Sequence, residues 1–148
     1  TASTHNEWGF RRTADPETER VLVNRLYNKV MMHVDDIAEV EEYYLDDAEE
    51  AVVAYGFTAR AALAAVEELR AMGRKVGLLR LCTLWPFPVE KVKQLGSRVN
   101  RILVPEMNLG QMAYVVDAAA QCEVVPFNQM DGTVIYPSSI VNALGRTA

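Results

Sequence analysis

The stretch AVVAYGFTARAALAAVEELRAMGRKVGLLRL, residues 51–81, constrains the fold more than any other part of the chain. It opens on one short apolar run, Ala51-Val-Val-Ala-Tyr55, and closes on another, Val76-Gly-Leu-Leu-Arg-Leu81. Two nearly continuous apolar strands joined by one amphipathic helix form a βαβ crossover, whose strands run parallel and are buried on both faces. The intervening segment repeats Ala59, Ala62, Leu63, Val66 and Leu69 at helical period, with Glu67, Glu68 and Arg70 on the opposite face. Thr58 is placed to cap the start of this helix, and Gly73 to end it in a left-handed conformation.

The remaining segments extend that unit. Asp15-Pro16 is a helix start, and Val23, Leu26, Tyr27, Val30, Val34 and Ile37 predict one helical face running to about Asp36, with the sheet as the surface it packs on. Residues 39–45, EVEEYYL, are acidic and aromatic, as in an exposed edge strand. A hairpin through residues 46–50 is the simplest way into the strand at Ala51, which makes the edge strand antiparallel to the others. Two prolines make residues 82–88 a loop, and Pro88 opens a short helix with Val89, Val92, Leu95 and Val99. Ile102-Leu-Val104 is a third parallel strand. Residues 105–111 form a loop before a helix over 112–121, with Met112, Val115, Val116 and Ala119 on its apolar face. Glu123-Val-Val-Pro-Phe127 is the last strand, and Pro126 means that it either ends there or lies at an edge. After the Asp131-Gly132 turn, Pro137 opens a final helix through Ile140, Val141 and Leu144. The sum is an α/β fold, a three-layer α/β/α sandwich with about five mostly parallel strands.

Composition excludes several classes. A net charge of −5 disfavours a nucleic-acid partner, which requires clustered Lys and Arg. No apolar run approaches the roughly 20 residues that span a bilayer, and no signal-peptide pattern opens the chain, so a cytoplasmic protein is expected. Cys82 and Cys122 lie in no CxxC and near no histidine at ligand spacing, so they read as reduced or buried thiols rather than a disulfide, zinc or iron–sulfur set. Thr1-Ala-Ser-Thr-His5 lacks an initiator methionine and reads as the continuation of a longer chain.

Ligands of open parallel sheets bind beyond the carboxyl ends of the strands. The first of three loops at that edge, Tyr55-Gly-Phe-Thr58, has one glycine and reads as a tight turn rather than a phosphate cradle. The second holds Trp85 and Phe87 rigidly beside prolines, either as a lid on the sheet edge or, the reading their residue type favours, as anchors for a neighbouring domain. The third carries Glu106, Asn108 and Gln111 beside a helix start, where a carboxylate or amide caps free N–H groups and fixes a domain contact. These five residues are the candidate domain or subunit interface. His5 and His33 have no partner at ligand spacing, and no nucleophile–base, HExxH or paired-carboxylate pattern is present, so no catalytic or metal residue is assigned.

The wording of the loops adds a resemblance. VVAYGFTAR, GRKVGLLRLCTLWPFP, ILVPEMNLGQM and DGTVIYPSSI resemble the domain that follows the pyrimidine domain in the α subunit of 2-oxoacid:ferredoxin oxidoreductases, a domain similar to the C-terminal domain of transketolase. The leader departs from the family's THDE, reading Thr4-His5-Asn6-Glu7. Asp131, Gly132, Ile135 and Pro137 resemble the 2-oxoglutarate type, with the branched-chain (2-ketoisovalerate) type as the alternative. The resemblance implies residues 1–38 as a leader and helix linking from a pyrimidine-binding domain, and residues 39–148 as a transketolase C-terminal-like domain. It further implies a complex with a thiamine-diphosphate-binding β subunit and other subunits. That complex uses thiamine diphosphate, Mg²⁺ and iron–sulfur clusters, none of them held by this domain, together with coenzyme A and ferredoxin; whether the domain touches coenzyme A is left open by the sequence. The domain's part is then assembly, and it is inactive alone. The alternative from another class is a regulatory or ligand-binding module with no enzyme around it.

Overall fold

The computed structural model describes residues 3–145. Its elements are α1 (Pro16–Met31), α2 (Val34–Ile37), β1 (Val40–Tyr43), β2 (Glu50–Tyr55), α3 (Thr58–Ala71), β3 (Val76–Leu81), α4 (Val89–Gly96), β4 (Arg101–Glu106), α5 (Gln111–Ala119), β5 (Glu123–Asn128) and α6 (Pro137–Gly145). The strands form one five-stranded sheet in the order β1-β3-β2-β4-β5, in which β2, β3, β4 and β5 are parallel and β1 is antiparallel to β3.

The alternation of strand side chains splits the core in two. Val52, Ala54, Leu78 and Leu103 face α3 and α6, whereas Ala51, Val53, Leu79, Ile102 and Val104 face α4 and α5. Helices therefore cover both faces, and the three-layer α/β/α architecture is the observed one. The apolar face of α3 is Ala59, Ala62, Ala65, Val66 and Leu69; its small residues let the helix lie close to β2 and β3. Gly73 has φ +84° at its C-terminal end, where Arg74 N donates to Leu69 O and Gly73 N to Arg70 O, the paired bonds of a Schellman ending.

Four details differ from the sequence expectation. First, β1 pairs with β3 and not with β2, so the hairpin is absent. Both sides of β2 are taken by parallel neighbours, and the β1–β2 connection crosses beneath β3, with buried Leu45 lying over Gly77. Second, the first helix stops at Met31 and does not pack on the sheet: no residue of α1 is buried, and Val23, Leu26 and Tyr27 stay more than half exposed. The two faces of the sheet are already occupied. Third, Thr58 is the first residue of α3 and not its cap; Gly56, at φ +55°, makes the turn, and the cap is Phe57 with no side-chain bond. Fourth, β4 runs through Pro105 to Glu106, and Ala113 rather than Val115 is buried on α5, Val115 facing outward.

Candidate assembly surface at the strand ends

The carboxyl ends of β2, β3 and β4 meet at one edge of the sheet, and a polar network joins two of them. Glu106, the last residue of β4, is 1% exposed. Its Oε1 accepts from Tyr55 Oη at the end of β2 and from Met112 N, each at 2.9 Å, while Oε2 accepts from Ala113 N at 2.9 Å. All of these are donors to it. Asn108 completes the set: its Nδ2 donates to Tyr55 Oη at 2.9 Å, and its Oδ1 accepts from Gly110 N at 2.8 Å and Gln111 N at 3.1 Å. Burial first, then the bond to Glu106, pushes the Tyr55 hydroxyl above its ordinary value.

Around this network the loops turn apolar side chains outward. Trp85 is 65% exposed and Leu109 68%, whereas Pro86 and Pro88 are buried and Phe87 packs half-buried on the core beneath α4 and α5. The Trp85–Pro86 peptide is cis. Thr83 ties this loop back to the segment before β1: Glu39 N donates to Thr83 Oγ1, Thr83 Oγ1 donates to Ile37 O, and Cys82 N and Thr83 N donate to Glu39 O.

The sequence-derived interface set thus divides. Trp85 and Gln111 reach the surface, Asn108 and Phe87 are partly covered, and Glu106 is inside, its carboxylate capping the start of α5. Sequence reasoning missed Tyr55, which meets Glu106 from 51 residues away, beyond the reach of any spacing rule. It also passed over Leu109 and Tyr114, whose exposure at and after a helix start has no periodic signature.

The other candidates have structural roles. Asn6 Oδ1 accepts from Trp8 N at 3.1 Å and Phe10 N at 3.0 Å, an acceptor task that an aspartate also performs, so the departure from THDE keeps the turn. His5 lies against Ser3 O at 3.2 Å, at the mouth of a hollow of about 290 Å³ between the leader and α1, and His33 faces Asp36 at 3.4 Å on the surface. Asp131 Oδ1 accepts from Thr133 N at 2.9 Å and Thr133 Oγ1 at 2.7 Å, bonds that hold its carboxyl below the usual range and shape the turn before buried Ile135 and α6. Cys82 is exposed and free, yet local desolvation and the Glu41 carboxylate raise its thiol, the opposite of an activated nucleophile. Among the described residues no group of three or more His, Cys, Asp or Glu is arranged to hold a metal ion, and no helix is long and apolar enough to cross a membrane.

This geometry, a mostly parallel sheet with helices on both faces and its loops gathered at the strand ends, defines a three-layer α/β/α domain. A split-gene transketolase solved as an inactive β4 tetramer shares the fold, with a TM-score of 0.62 and 17% identity over 73% of this chain and 40% of that one. The particular family follows from sequence: the chain matches the model of pyruvate:ferredoxin oxidoreductase core domain II over residues 48–140, and it belongs to that family. It is 38% identical, over 97% of its length, to the 2-oxoglutarate synthase subunit KorA of Methanothermobacter thermautotrophicus. The ketoisovalerate oxidoreductase subunit VorB of the same organism is 40% identical over 73% of this chain. A 2-oxoglutarate:ferredoxin oxidoreductase from Magnetococcus marinus, solved with 2-oxoglutarate, coenzyme A and succinyl-CoA bound, superposes with a TM-score of 0.86 and 26% identity over 98% of this chain and 26% of that one. The chain spans 39% of the length of the 2-oxoglutarate synthase subunit and 31% of the ketoisovalerate one.

Proposed function

We propose that this chain is the second domain of the α subunit of a 2-oxoglutarate:ferredoxin oxidoreductase, which decarboxylates 2-oxoglutarate oxidatively to an acyl-CoA in the cytoplasm. The observation that carries the reading is the 38% identity to a 2-oxoglutarate synthase subunit across nearly the whole chain, leader included. Residues 39–148 form the domain, and residues 1–38 lead into it from a pyrimidine-binding domain. Its partners are a thiamine-diphosphate-binding β subunit and the other subunits, with ferredoxin as the electron acceptor of the complex.

Thiamine diphosphate supplies the carbanion chemistry of such an enzyme when bound, and iron–sulfur clusters carry the electrons. The donor set of this domain does not fit either group. A cluster draws on four cysteine thiolates, and this chain has two cysteines, one at the end of β3 and one before β5. The α5 N-terminus, the natural seat of a diphosphate at this edge, is filled by Glu106. The domain therefore serves assembly. Tyr55, Glu106 and Asn108 hold the third loop in one conformation, and Trp85, Leu109 and Gln111 present a surface to a partner. An exposed tryptophan on a proline-braced loop is the kind of anchor on which interfaces concentrate their energy.

Two measurements test this. In the purified native complex, Trp85→Ala is expected to weaken subunit association by about 2 kcal/mol, roughly 30-fold, with no catalytic group removed. Unchanged sedimentation of the variant complex defeats the assembly role. Coenzyme-A-dependent reduction of a viologen dye is expected to run faster with 2-oxoglutarate than with 3-methyl-2-oxobutanoate. Preference for the branched acid moves the assignment to the ketoisovalerate type, which the 40% identity to its subunit supports over 73% of the chain.

A further inference from the structure

One side of the sheet is incompletely roofed. α6 packs on α3 and leans on β4, and β5, the edge strand beyond, keeps Val125 and Phe127 only half-buried on that face. Between α6 and β5 lies an open hollow of about 390 Å³, walled by Leu103, Val125 and Phe127 from the sheet and by Ser139, Asn142 and Ala143 from the helix. An apolar sheet face is buried by a further layer, and the element that covers such a face in this fold is a helix.

α1 has the complementary surface. The leader lies over its face of Thr18, Val21, Leu22 and Arg25. On the other side Val23, Leu26, Tyr27 and Val30 recur at helical period, the first three more than half exposed. The sixteen residues of α1 span about 24 Å, against roughly 20 Å for the six of β5. Charge agrees with length. Residues 1–33 carry five basic and four acidic side chains, a net +1, so the rest of the chain carries −6 of its overall −5. Arg20 and Lys29 flank the α1 stripe, whereas β5 and α6 contain no Lys or Arg, and the charges beside the groove in sequence, Glu123 and Asp131, are acidic. Within one chain the two surfaces stay apart. α1 leads into β1 at the opposite edge of the sheet, four strand spacings or about 19 Å from β5, and α3 and α6 fill the face between.

We propose that α1 of one copy of this chain seats in the α6–β5 groove of a second copy, which returns the contact and closes a two-fold dimer. The stripe of Val23, Leu26, Tyr27 and Val30 then covers Leu103, Val125 and Phe127, and the basic flanks of α1 lie on the acidic domain. The contact uses no residue of the Trp85 loop, so that loop stays available to a different subunit, and it holds whichever oxoacid the enzyme takes.

Sedimentation equilibrium of the 148-residue chain tests this. A dimer half-formed near about 50 µM is expected, in the weak range of small interfaces, so dilute solutions hold single chains. Leu26→Asp puts a charge in the stripe, and Asn142→Trp fills the groove; both positions are exposed, so the thermal midpoint of a dilute sample should not move. Each variant is expected to weaken dimerisation roughly 30-fold. Mixed together, the two should associate more tightly than either does alone, because one intact α1 still meets one intact groove. A chain that stays monomeric at ten times the expected midpoint overturns the proposal and leaves α1 to a different partner. A dimer lost with Leu26→Asp but kept with Asn142→Trp overturns it as well, since α1 then pairs with α1. Two dissociated variants that fail to complement each other refute the reciprocal seating.

Discussion

Tyr55 ends β2 with its ring against the core beneath α4 and α5 and its hydroxyl between Glu106 and Asn108. Burial and the neighbouring carboxylate raise its proton affinity above the ordinary value of 10. The folded chain keeps this proton after the unfolded chain has begun to release it. The stabilisation is therefore complete below pH 10 and is lost as pH rises through the raised value. Tyr55→Phe removes the bond and the titration together. At neutral pH the variant is expected to be less stable by about 1 kcal/mol, the usual net worth of one hydrogen bond. That gap should narrow as denaturation is repeated at successively higher pH above 10, because only the wild type has the contribution to lose. A gap that stays constant across the alkaline range would mean that the Tyr55 proton is not linked to folding.

Elements order themselves here through one absent side chain. The β1–β2 connection passes under β3 at Gly77, where an added Cβ would stand 2.4 Å from Leu45 Cδ2 and 2.8 Å from Tyr44 O. The second of these contacts is backbone, and Arg70 donates both to Asp47 Oδ1 and Tyr44 O of that connection and to Val76 O of β3, tying the two together. The strand has no room to give. Gly77→Ala is expected to cost about 1–3 kcal/mol in denaturant unfolding, as overpacking of a close-packed site does. Gly73→Ala, by comparison, meets no neighbour and strains only φ. Gly77 also shows what the sequence conceals. The apolar runs of β2, β3 and β4 and the stripe of α3 were legible, because burial on both faces writes itself into local composition. The partner of β1 was not, since a hairpin and a crossover have the same edge-strand pattern and differ only in what a distant glycine permits. The network at the strand ends divides the same way. Glu106 beside a helix start was readable as a cap, but Tyr55 as its second donor was fixed by the β2–β4 adjacency, which belongs to topology.

At the scale of the whole molecule, the leader helix contributes no buried residue to the core of the sheet. α1 has a strong start, with Asp15 Oδ1 accepting from Glu17 N and Thr18 N, and an apolar stripe, yet it buries no residue. A lone helix of its length is marginal in water, so its own stability adds nothing to the sheet's. What fastens the entry to β1 begins later, at Ile37, Glu39 and Thr83. Deleting residues 1–33 from the 148-residue chain should therefore leave its thermal midpoint within about 3 °C, the equivalent of 1 kcal/mol or less at this size. Differential scanning calorimetry of the two chains decides it. A larger fall would place α1 on the sheet in solution and dissolve the division at residue 38. A midpoint that holds leaves Val23, Leu26 and Tyr27 as apolar surface with no task inside this domain. In that case the same deletion should disrupt the native complex while sparing the domain, because a helix that does nothing for the sheet keeps such a stripe only for a surface beyond it.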